Sequence, residues 1–128
     1  MVEMRQLEAA LALSWGEDTA HNRDWNPLCP ALNQCAITAM IVQDYFNGEL
    51  MRCPTEKGDS HYWNRLEDGQ QVGLTDSQFI FSGDKLLYEF PVIRTRNYLE
   101  SNPDTLARYI ILSRRVRTWL DKLEGLPQ

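Results

Sequence analysis

A thiol, an imidazole and a carboxylate brought to one place can break or transfer an amide or ester bond, and this chain offers such a set in Cys35, His61 and Asp76. A nucleophilic cysteine needs thiolate character, which the first turn of a helix favours through its unpaired N–H groups and dipole. Cys35 follows the polar pair Asn33-Gln34 and opens a strongly apolar run, so it falls at a helix start. The backbone amide there, with the Gln34 side chain, would face an oxyanion developing beside the sulfur. The thiol needs a base within hydrogen-bond reach, and the base needs a group that fixes its tautomer. His61 follows Gly58-Asp59-Ser60 and fits the first role; Asp76 and Asn64 are the candidates for the second, and Trp25 and Trp63 for walls of a substrate site.

Each residue also has an ordinary reading. Free cysteine is among the most buried residue types and often only packs. A second hypothesis is therefore a non-catalytic module binding a small polar ligand or a protein, with Trp15, Trp25, Tyr62 and Trp63 lining a cleft. A third is a redox thiol, with Cys29 or Cys53 resolving an oxidised Cys35. Three cysteines and two histidines in no tetrahedral spacing argue against a disulfide framework and against a zinc site, so neither metal nor cofactor is expected.

The positioning elements follow from periodicity. Residues 2–14 place Leu7, Ala10, Leu11 and Ser14 on one side of an amphipathic helix that Gly16 ends. Residues 17–32 read as a loop, with two X-Pro steps. Asn33 reads as the cap of a helix over residues 34–46 that is apolar nearly all round and must be buried. Asn47-Gly48 stops it, and a strand over residues 49–53 follows. Residues 61–66 and 70–75 flank Asp68-Gly69, a two-residue hairpin signal; that register pairs Trp63 with Leu74 and sets Asp76 opposite His61. A strand over residues 86–93 is confined by Pro91 to an edge. A last helix begins near Asn102-Pro103 and runs up to Gly125. Together these give one α+β domain over residues 1–128, with a central buried helix on a small antiparallel sheet and helices at both termini.

At 128 residues the chain is long enough for its own core, and its 43% hydrophobic and 24% charged content excludes disordered and coiled-coil classes. A net charge of −5 disfavours nucleic acid and anionic membrane surfaces. With no segment for membrane insertion or export, a cytoplasmic location is expected, with a small molecule or peptide as substrate. Oligomeric state is not legible.

A nucleophile on a helix start, a base on a strand and an orienter on the next strand is the order found in papain-like and transglutaminase-like enzymes, an analogy of arrangement. The strings Ser14-Trp15, Asn26-Pro27, Gln34-Cys35-Ala36-Ile37-Thr38-Ala39, Val42-Gln43-Asp44-Tyr45-Phe46, His61-Tyr62-Trp63-Asn64-Arg65, Asp68-Gly69, Leu74-Thr75 and Gln78-Phe79 resemble the uncharacterised bacterial YunG family. The resemblance implies that Gln34-Cys35 and His61-Tyr62-Trp63-Asn64 belong to family motifs. It implies no reaction. It also implies an aspartate before Leu74-Thr75, where this chain has Gly73; Asp76 or Asn64 would then have to orient the histidine, or the chain would be an inactive member.

Overall fold

The computed structural model describes residues 1–87 and 91–124. Helix α1 (Met4–Ser14) starts two residues later than its apolar pattern, because the Gln6 side chain turns back to accept from the Glu3 amide at 2.8 Å. The proline-rich stretch after it contains two single 3-10 turns, Glu17–Thr19 and His21–Arg23. Helix α2 (Cys35–Phe46) buries six consecutive residues, Ile37 to Val42, as a helix without a polar face must. The full burial of side chains such as Ile37, Met40 and Ile41 contributes about 1.5–3 kcal/mol each.

Asn33 is not the cap of α2. Its backbone is left-handed (φ 61°), its side-chain amide donates to the Asp24 carbonyl at 2.6 Å, and α2 begins after Gln34 with no side-chain cap. Asn47 (φ 61°) and Gly48 (φ 85°) stop the helix as expected; a Cβ at Gly48 would lie 2.4 Å from the Arg65 carbonyl oxygen.

Four antiparallel strands, β1 (Glu49–Pro54), β2 (Ser60–Arg65), β3 (Gln71–Val72) and β4 (Val92–Arg94), form a sheet in the order β3-β2-β1-β4. The hairpin between β2 and β3 is one residue out of the expected register. Asn64 pairs with Val72 and Arg65 with Gln71, because the connection is a three-residue loop: Leu66 donates to the Gln70 carbonyl and Gly69 takes the left-handed position (φ 87°). The second strand is also shorter than residues 70–75. The chain then turns into a six-residue helix, α3 (Ser77–Ser82), that periodicity did not suggest. Of the strand expected over residues 86–93, Leu86 makes a lone bridge to Thr55 and β4 forms the edge directly after Pro91; residues 88–90 lie outside the described residues.

Helix α4 (Arg96–Glu100) leads into α5 (Pro103–Glu124), whose start is capped by Asn102 Oδ1, accepting from the amides of Asp104 and Thr105 at 3.0 and 3.1 Å. The result is the expected α+β architecture. One side of α2 lies on β1 and β2 through Ala39, Met40 and Leu50; the other packs against α1 and α5 through Leu7, Leu11, Ile41, Leu112 and Val116. No helix among the described residues is long and apolar enough to cross a membrane.

Candidate functional site

The layering of the fold fixes where Cys35 goes. It is the first residue of α2, partly buried, and its Sγ lies 3.8 Å from the Ser60 carbonyl oxygen at the start of β2. Because no side chain caps this helix, its first-turn amides remain available to an anion at the sulfur or beside it.

His61, the next residue of β2, is 1% exposed. Its Nε2 is 3.1 Å from Asp76 Oδ1, and Nδ1 is 3.4 Å from the side-chain amide of Gln78. The ring is held edge-on by Phe79 at 4.6 Å between centroids and is stacked near Trp63 at 6.0 Å. Burial works against a charge on this ring. The hydrogen bond to Asp76 and the neighbouring Cys35 sulfur outweigh it, with the Asp76 charge adding to them, and the imidazole pKa is pushed up from 6.5 to about 9. The ring between the carboxylate and the Cys35 sulfur therefore favours its protonated form more than a free imidazole does.

Two cavities border these residues. Cys35 opens on one of about 680 Å³ whose walls include Asn33, Tyr62, Tyr98, Asn102 and Arg108. His61 and Asp76 border the other, of about 390 Å³, with Trp63, Gly73 and Leu86.

The structure thus brings Cys35, His61 and Asp76 together and leaves other expected residues elsewhere. Asp76 reaches His61 from the residue preceding α3, not from across a ladder as the expected register had it. Asn64 does not approach the ring: residues 61 and 64 point to opposite faces of β2, and the Asn64 amide donates to the Ala39 carbonyl in α2 at 2.9 Å. Gln34 is fully buried, with its amide nitrogen donating to the Gly16 carbonyl at 3.0 Å and its Oε1 without a partner, so its amide is already engaged. Trp25 donates to the Pro30 carbonyl and borders neither cavity, Trp15 packs on the helical core, and Tyr62 and Trp63 border different cavities. A single aromatic cleft is not formed.

All three cysteines are free thiols; Cys29 and Cys53 are buried, and burial pushes the Cys53 thiol up despite the Arg52 charge. Sequence reasoning missed Gln78 and Phe79 against the His61 ring, although both stand in one of the strings that carry the resemblance. Tyr98, Asn102 and Arg108 were missed as cavity residues, and no local pattern marks them. Among the described residues no group of three or more His, Cys, Asp or Glu side chains is arranged to hold a metal ion.

A family model described as YunG protein matches residues 3–121. The protein called "Uncharacterized protein YunG" of Bacillus subtilis (strain 168) is 28% identical over 76 residues, which is 59% of this chain and 63% of that protein, so the match spans less than two thirds of the relative. No solved structure matches.

Proposed function

The chain belongs to the YunG family, and within that membership we propose that it is a cysteine-dependent hydrolase or acyltransferase acting on an amide or ester of a small polar molecule or peptide. The observation that carries this reading is the buried His61, bonded through Nε2 to Asp76 and raised in pKa partly by the Cys35 sulfur. Asp76 holds the ring through Nε2, and the ring is the group that exchanges a proton with the thiol.

The reacting state is the ion pair in which the proton of the thiol resides on the His61 ring, and Sγ attacks the carbonyl carbon as the thiolate. The oxyanion is met by the Cys35 backbone amide at the uncapped start of α2, a role that does not require Gln34. Collapse expels the amine or alcohol, which takes the proton back from His61 and leaves a thioester on Cys35. Water or an acceptor amine or hydroxyl, deprotonated by His61, then attacks the thioester and regenerates the thiol. The 680 Å³ cavity, with its phenols, amides and guanidinium, suits a polar acyl portion.

The test is to incubate the protein with a panel of activated esters and amide-containing small molecules and to search for acyl adducts by intact and peptide mass spectrometry. An adduct on the Cys35 peptide, absent in Cys35→Ser and turned over by an added acceptor, is the expected result. Tight binding of a panel member by both wild type and Cys35→Ser, with no adduct, would replace catalysis with a binding module.

A further inference from the structure

Three residues before Asp76 stands Gly73, and its backbone gives no reason for a glycine. Its φ is outside the left-handed region that Gly48, Gly58, Gly69 and Gly83 occupy, so φ does not call for a glycine here. Space is the issue. A Cβ built there would lie 2.4 Å from both Oδ1 and Oδ2 of Asp76 and 2.5 Å from its Cγ. Those three atoms are the carboxylate whose Oδ1 bonds His61 Nε2 at 3.1 Å. The carboxylate therefore occupies the volume that a side chain at position 73 would fill.

We propose that Gly73 is a positioning residue of the candidate site: by lacking a side chain it creates the space from which the Asp76 carboxylate holds His61. The inference rests on the Cys35–His61–Asp76 reading of the site for its functional meaning, but it concerns only the carboxylate and the ring and can fail separately. The physics separates it from a packing role. Asp76 is 56% exposed and the colliding atoms are the end of a short side chain with solvent beside it. A methyl at position 73 is therefore accommodated cheaply by rotating the carboxylate outward, and what is lost in that rotation is the bond to His61 rather than the fold.

The test is NMR titration of the His61 ring in four proteins: wild type, Gly73→Ala, Asp76→Ala and Gly73→Ala/Asp76→Ala, with thermal melts alongside. The expected result is a ring pKa lowered by Gly73→Ala to near the Asp76→Ala value, with no further change in the double variant. If Gly73→Ala fails to fold but the double variant folds, the collision is with the carboxylate and the proposal stands. It is overturned by a wild-type ring pKa in Gly73→Ala, by an equal drop from adding Gly73→Ala to Asp76→Ala, or by loss of folding in both Gly73 variants. The alkylation of Cys35 is a separate readout, so an inert thiol with an intact Gly73 effect would reject the nucleophile and keep the positioning.

Discussion

Helix α2 meets a polar cluster at each end, and the two differ in what they leave unused. At its C-terminal end the Arg96 guanidinium spends all three nitrogens: Nε on Glu100 (2.9 Å), one terminal nitrogen on the Met40 carbonyl (3.0 Å) and Gln43 (3.1 Å), the other on Asp44 (2.9 Å). Its face lies 4.8 Å from the Tyr109 ring centre, and the Tyr109 hydroxyl donates to Asp44. That network ties α2, α4 and α5 together and engages every nitrogen of the guanidinium. At the N-terminal end the helix start has no side-chain cap, Gln34 Oε1 has no partner, Asp76 is half in solvent and Cys35 opens on a cavity. Satisfied polar groups rigidify a fold, whereas capacity left unused beside a cavity is what a site that must receive something requires.

The sharpest break between the two ends is stability. Arg96→Ala leaves Asp44 and Glu100 without their cation and the Met40 carbonyl without its donor, and is expected to cost about 2 kcal/mol in urea unfolding, while leaving Cys35 reactivity at the wild-type level. A matching loss of Cys35 reactivity would mean that the two ends are coupled and the contrast is false.

The smaller effect is a pH dependence that only the N-terminal end predicts. A histidine whose pKa rises from 6.5 to about 9 on folding contributes stability that is fully present below pH 6.5 and is lost as pH climbs through 9. Because Asp76 is 56% exposed, screening reduces the contribution to about 1–2 kcal/mol. Denaturant unfolding between pH 6 and 10 is expected to show that decline in wild type, and Asp76→Asn to flatten most of it. A decline that survives Asp76→Asn would assign it to another group.

What was legible in the sequence follows the same division. The apolar surround of α2 and the long periodic stripe of α5 are repeated signals, and each element formed where expected, with α2 buried. Short elements carry few repeats: α3 has six residues and leaves Ile80 91% exposed, so neither pattern nor burial announced it. The hairpin was visible in Asp68-Gly69, but the three-residue loop that shifts its register depends on one hydrogen bond from Leu66 to Gln70. Cys35, His61 and Asp76 were singled out by residue chemistry, and the fold brings them near one another. Asp76 reached His61 by a different route, through the turn that starts α3 and the space over Gly73. Asn64 failed as an orienter for a reason within reach of sequence, since residues three apart on a strand face opposite sides.

The measurement closest to the central claim is the pH profile of alkylation at each cysteine, by peptide mass spectrometry, in wild type and His61→Ala. The His61 ring beside the sulfur is expected to make Cys35 react at pH 6 at least about tenfold faster than Cys29 and Cys53, and His61→Ala to remove that advantage. A Cys35 rate no greater than that of the two buried thiols, or one unchanged in His61→Ala, would contradict the account and leave Cys35 as a packing residue.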